Sequence, residues 1–168
     1  MIEMELVGVR VELPANQPIV LLKEATGTRY LPIWIGAVEA TAIAFALQGV
    51  ETPRPLTHDL FVDVLGEVGV EVAAVHVTDL RDGTFYAELH LKQGERSWTV
   101  SARPSDAIAL VSRLGDVPIF GAESVIEEAG LEIDPDEAEG EESEDPEEEV
   151  RQFREFLEQI EPEDFREQ

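Results

Sequence analysis

The start of the chain alternates apolar and polar residues, the pattern typical of half-buried strands. Val7, Val9 and Val11 occupy every second position of the first apolar stretch. The stretches IVLLKE and RYLPIWI are also strand-like, and turn-forming residues separate them from their neighbours. We therefore predict three strands within residues 1–35.

From Gly36 onward the apolar period changes from two residues to the spacing of a helix. The pattern predicts helices over about 37–48, 57–68 and 105–114, each followed by a glycine that favours helix termination. The second helix has an apolar side. That side comprises Leu60, Phe61, Val64, Leu65 and Val68.

A second group of strands lies between the second and third predicted helices. The runs VEVAAVHVTDL and TFYAELHLKQ flank Asp82-Gly83, a dipeptide that favours a tight hairpin, and RSWTVSA follows them. A short strand, VPIF, and a short helix, AESVIEEAG, complete the pattern. This order predicts an α+β fold with a mixed or antiparallel sheet and helices packed on it.

The C-terminal fifth of the chain is an acidic tail. We predict one domain over residues 1–133, and a disordered acidic linker over 134–149, where too few apolar residues are present to form a core. Residues 150–168 are predicted to contain a short amphipathic helix that docks on the domain or on a protein partner. Its apolar positions are Val150, Phe153, Phe156, Leu157 and Ile160.

Charge and composition restrict the classes of function. The net charge is −25, and residues 1–133 alone contain 20 acidic residues against 9 Lys and Arg, which disfavours binding to nucleic-acid backbones. The chain has no cysteine, so a metal site requires His, Asp and Glu. The acidic start and the lack of a bilayer-length apolar run predict a cytoplasmic protein without membrane contact.

Two segments of similar sequence, PRPLTHDLF and ARPSDAIAL, precede the second and third helices. In the first, Thr57 is expected to cap the helix and Asp59 to complement its dipole. Capping does not account for Arg54, because cations are unfavourable at a helix start. An arginine at this position indicates either a bound anion or a carboxylate partner.

The second segment repeats the arrangement with Arg103, Ser105 and Asp106. Two cross-pairs between the segments are therefore candidates, Arg54 with Asp106 and Arg103 with Asp59. A buried, purely structural Arg–Asp lattice is the alternative interpretation.

Glu39 lies in the first turn of the first helix, so three helices each begin with a carboxylate. If they start at one edge of the sheet, Glu39, Asp59 and Asp106 form a cluster with His58. Mg²⁺ and Mn²⁺ prefer such oxygen ligands, which makes the three carboxylates candidate metal ligands.

The strings LPIWIGAVEATAIAFALQGVETPRPLTHDL, FYAELHL and ARPSDAIALVSRLGDVPIF resemble the bifunctional nuclease domain family. The resemblance covers about residues 1–130, and the terminal EEVRQFREFLEQIEPEDF makes the chain similar to actinobacterial members. It implies an α+β fold, an oligomer and metal-dependent cleavage of DNA and RNA. The positions that match the family's strings are Glu39, Arg54, Pro55, Thr57, His58, Asp59, Arg103, Pro104, Ser105 and Asp106.

Two functions remain open from the sequence. In the first, a metal-dependent nuclease, the three carboxylates hold Mg²⁺ or Mn²⁺ and His58 is the general acid or base. The substrate is then bound by Arg54, Thr57, Arg103 and Ser105. In the second, the protein is a non-enzymatic binding or regulatory module in which the Arg-Pro and Asp motifs are structural. We expect a homo-oligomer, a dimer or larger, in both cases.

Overall fold

A computed structural model describes residues 1–12 and 16–132. The predicted linker at 134–149 and terminal helix within 150–168 lie outside the described residues. The helices contain 7 to 11 residues, and in the described part none is long and apolar enough to cross a membrane. The elements are β1 (Ile2–Glu12), β2 (Gln17–Glu24), β3 (Arg29–Trp34), α1 (Ala37–Leu47), α2 (Thr57–Glu67), β4 (Glu71–Arg81), β5 (Thr84–Gln93), β6 (Arg96–Ala102), α3 (Pro104–Leu114), β7 (Ile119–Gly121), α4 (Glu123–Ala129) and β8 (Leu131–Glu132).

The described strands form one mixed sheet in the order β6-β5-β4-β7-β1-β2-β3-β8. Two meanders, β1 to β3 and β4 to β6, lie side by side and are joined through the short strand β7. This strand is antiparallel to β1 and parallel to β4, and the other neighbouring strands are antiparallel. The α+β prediction is confirmed.

The hairpin between β4 and β5 confirms the prediction made from Asp82-Gly83. Both residues have positive φ, 49° and 76°, and Arg81 pairs with Thr84 across the turn. A tight turn of this kind requires the left-handed conformation, which glycine adopts without strain. The turn therefore fixes the register of the two longest paired strands.

The core lies where helices pack on the apolar positions of the strands. In β5, the alternate residues Ala87, Leu89 and Leu91 are buried, as a strand with one covered face requires. Helix α3 contacts β4 and β5, α1 contacts β1 and β2, and α4 contacts β3 and β4. Helices α1 and α3 also pack on each other, and this contact brings their N-terminal turns together.

Helix α2 turns only a small part of its apolar side toward the core. It has no buried residue, and only Val62 and Leu65 pack partly against the core. Helix α2 rests mainly on α3. The opposite side, which we call the α2 apolar face, consists of Leu60, Phe61, Val64 and Val68, with 56%, 50%, 51% and 54% of each residue exposed.

Candidate functional site

Three helices begin close to one another, each with a carboxylate in its first turn. Two residues separate the end of β3 from the start of α1, and one residue, Arg103, separates β6 from α3. The first-turn acids are Glu39, Asp59 and Asp106. Contacts made by Arg103 and His58 join these helix starts.

Arg103 bridges the carboxylates of α1 and α3. Its Nε donates to Asp106 Oδ2 at 2.7 Å, and its Nη2 donates to Asp106 Oδ1 at 3.0 Å and to Glu39 Oε1 at 2.8 Å. The hydrogen bonds to Asp106 raise the pKa of Arg103, so the guanidinium is always charged. The Arg103 side chain is 65% exposed, so it is not part of a buried lattice.

His58 of α2 joins the same group. Its Nε2 lies 3.3 Å from Asp106 Oδ1. Burial raises the pKa of Asp106, but hydrogen bonds from Arg103 and His58 outweigh it, and the pKa lies below its ordinary value. An ionised Asp106 only accepts hydrogen bonds, so Nε2 must carry the proton and Nδ1 of a neutral His58 holds a free lone pair.

Asp59 has a different partner from the one the sequence indicated. Neither predicted cross-pair, Arg54 with Asp106 or Arg103 with Asp59, is present. Arg103, the residue just before α3, instead pairs with Asp106 three residues later, in the first turn of that helix. Asp59 Oδ1 accepts from Arg113 Nε, and Asp59 Oδ2 accepts the Leu56 N–H at 2.8 Å.

Arg113 is the site residue that the sequence reasoning missed. Its side chain is only 9% exposed, and its Nη1 donates to the carbonyls of Ala42 at 3.0 Å and Ala109 at 2.7 Å. It thereby links α1, α2 and α3. The available signal was the spacing of seven residues from Asp106, two turns along the same face of α3. An arginine in a last turn is otherwise explained by the helix dipole alone.

The predicted substrate-binding residues do not all reach the surface. Arg54 is exposed, and within the described residues its guanidinium has no hydrogen-bond partner. Thr57 is exposed at the first position of α2, whereas Ser105 is buried. Neither hydroxyl caps its helix as predicted, because both helices begin earlier, after Leu56 and Arg103. Pro104 has a fixed φ that suits a first helical position.

The three carboxylates do not fit a metal centre as they are arranged. Arginine donates to each of them, and Arg103 lies between Glu39 and Asp106. In the part of the chain that the structure describes, no group of three His, Asp or Glu side chains is placed to hold an ion. Metal dependence therefore stays a prediction.

An open pocket of about 440 Å³ lies on the Asp59 side of α2. Its size is within the range of small-molecule sites. Arg113 contributes a positive charge to the lining of the pocket. Three carboxylates also line the pocket, so it is unfavourable for binding a phosphate. The lining includes Phe45, Val50, Glu51, Leu56, Asp59 and Asp63.

Comparison with known proteins identifies the family to which this domain is similar. The sequence model of the bifunctional nuclease domain matches residues 20–134, which include all of the residues named above. An uncharacterized protein of Mycobacterium tuberculosis is 52% identical over 165 residues, 98% of both chains. Bifunctional nuclease 2 of Arabidopsis thaliana is 33% identical over 109 residues, which are 63% of this chain and 32% of the plant protein.

Bifunctional nuclease 1 of Oryza sativa subsp. japonica is 28% identical over 121 residues, 70% of this chain and 36% of the rice protein. The plant matches thus span about a third of each plant protein. The mycobacterial match, in contrast, extends through most of the acidic tail. Because the domain model matches more than half of the chain's length, the chain belongs to the bifunctional nuclease domain family.

Proposed function

We propose that this protein hydrolyses phosphodiester bonds of DNA or RNA at the cluster formed by Glu39, His58, Arg103 and Asp106. The observation that carries the proposal is the His58–Asp106 contact beside the exposed guanidinium of Arg103. Family membership supports the reaction class, since the plant relatives bear the name bifunctional nuclease.

His58 is the proposed general base. Its Nδ1 accepts a proton from a water molecule while the water oxygen bonds to phosphorus and the bond from phosphorus to the leaving oxygen breaks. Asp106 holds the ring through Nε2–H and stabilises the imidazolium that forms. The imidazolium then returns the proton to the leaving oxygen or to solvent, and the site is restored.

Arg103 is the proposed phosphate-binding residue. Its Nε and Nη2 donate to Asp106 and Glu39, which leaves the two N–H groups of Nη1 without a partner among the described residues. Those groups can donate to a phosphate oxygen in the geometry that guanidinium groups favour. The unpartnered Arg54 and the free N–H groups at the start of α2 add positive potential.

Three arms of one assay test the proposal. Purified full-length protein is incubated with end-labelled single-stranded DNA and RNA in EDTA, in Mg²⁺ and in Mn²⁺, which also tests the predicted metal dependence. We expect His58→Gln to lower the cleavage rate at least 100-fold, the lower range for general acid–base catalysis. The matched control, His90→Gln, changes a histidine on β5 and should retain the rate. Equal rates for His58→Gln and the parent protein would exclude His58 as the base.

A non-enzymatic binding module is the second candidate, and the α2 apolar face favours it. Four large apolar side chains exposed on one helix are typical of a protein–protein interface. In a binding module of this kind, Arg103 and Arg113 have structural roles, and nucleic acid is not a ligand. A protein that binds a partner or oligomerises, yet cleaves no substrate in any arm of the assay, would support it.

A further inference from the structure

The α2 apolar face is uncovered by the described residues, and all four of its large apolar residues are at least half exposed. Leu60, Val64 and Val68 repeat every four residues, so they form one stripe a little over two turns long, with Phe61 beside them. A stripe of this width normally packs against another element.

The chain contains a segment with a similar apolar pattern outside the described residues. Residues 150–160 read VRQFREFLEQI, in which Val150, Phe153, Leu157 and Ile160 follow the spacing of a helical packing seam. Eleven residues are too few for a stable isolated helix in water, so such a segment needs a surface to pack on.

We propose that residues 150–160 dock as a helix on the α2 apolar face of the same chain. The α2 stripe is about two turns long and the segment about three, so the segment can cover the stripe along its whole length. Aromatic and branched side chains occur on each, with Phe61 on the face and Phe153 and Phe156 on the segment.

Charge favours this segment over the rest of the tail. Residues 150–160 contain two Arg and two Glu and are neutral, whereas 134–149 contain 11 acidic residues and no Lys or Arg. The domain is itself acidic, and Asp63 and Glu67 follow one edge of the stripe on α2. Arg154 lies at an edge of the segment's stripe, where it can pair with either carboxylate.

The linker is long enough for docking within one chain. The eighteen residue steps from Glu132 to Val150 span up to about 60 Å when extended. A domain of this size has a radius of gyration of roughly 14 Å, so any point on its surface is within reach. Because the linker tethers the segment to the domain, the effective concentration of the segment near the α2 apolar face is high.

The absence of cysteine allows a direct test in the full-length protein. Val64→Cys with Leu157→Cys places one thiol near the centre of each stripe, so the test does not depend on helix direction. A disulfide requires Cα atoms about 4.4–6.8 Å apart, and therefore reports packing. We expect an intrachain disulfide at least tenfold faster than for the control pair Thr84→Cys with Leu157→Cys, whose first site is the exposed β4–β5 turn.

Adding Phe153→Ser to the test pair should abolish the tenfold advantage while leaving the domain folded. A second pair, Phe61→Cys with Leu157→Cys, provides the same readout if the first fails to fold. Oxidation no faster than the control would overturn the proposal. Disulfides that join two chains would also overturn it, because they would place the face against a second copy.

Discussion

Arg113 near the end of α3 donates to Asp59 at the start of α2, and through its Nη1 it also binds the carbonyl of Ala42 in α1. One guanidinium therefore holds three helices in register. Arg103, by contrast, is exposed and binds carboxylates at the starts of α1 and α3. The two arginines have separable effects on stability and on function.

Arg113→Met should destabilise the fold. The substitution leaves Asp59 and two carbonyls without their donor, and loss of one partner from a buried ion pair costs about 3–5 kcal/mol. Asp59 is one-third exposed, so we expect about 2–3 kcal/mol, measured as a lower urea midpoint. The control Arg81→Met removes an exposed pair with Asp79 and should leave the midpoint nearly unchanged. Equal midpoints for the two variants would contradict the structural role of Arg113.

Arg103→Ala should affect function more than the fold. Its own side chain is largely exposed, but Glu39, which is 16% exposed, loses its donor, so the urea midpoint should fall, though less than in Arg113→Met. The cleavage rate should fall about 100- to 1000-fold, as for the loss of a donor to developing charge. Arg103→Lys should recover only part of the rate, because lysine lacks the forked donors. A strongly destabilised Arg103→Ala with an undiminished rate would reverse the assignment.

His76 should make stability depend on pH. Burial and the nearby charge of His90, whose ring centroid is 3.8 Å away, lower the pKa of His76 below its ordinary value of 6.5. The unfolded chain then binds more protons than the folded one as the pH falls below 6.5, so this contribution to stability is lost on the acidic side. Urea midpoints at pH 7.5 and 5.5 should differ less in His76→Gln than in the parent protein. An unchanged difference would assign the pH dependence to other groups.

Two glycine substitutions should have opposite signs. A Cβ at Gly66, in the last turn of α2, meets no atom within 4 Å, so Gly66→Ala should stabilise the protein by up to about 1 kcal/mol. A Cβ at Gly130, after α4, would overlap the backbone carbonyl of Ile126, so Gly130→Ala should be destabilising. Thermal melts of both variants provide the comparison. Stabilisation by Gly130→Ala would show that the end of α4 moves easily.

Local patterns in the sequence predicted the elements well, because turns and periodicity are short-range properties. Asp82-Gly83 and the starts of three helices are examples. The exposure of the apolar side of α2 was not predictable, since periodicity identifies an apolar side but not the element that covers it. The partners of Arg103 and Asp59 depend on how α1, α2 and α3 cross. That geometry also places Arg113 beside Asp59, although they are 54 positions apart in sequence.

The position of β7 has a consequence for the order of folding. Each meander contains strands that are neighbours in sequence, so each closes with short loops and can form early. Among the described strands, the three residues of β7 alone join the two halves of the sheet, and the contact between Ile2 of β1 and Gly121 spans nearly the whole domain. Closing that long loop costs more chain entropy than closing either meander, so we expect β7 to pair late and substitutions in β7 to alter the folding rate less than substitutions in the β4–β5 hairpin.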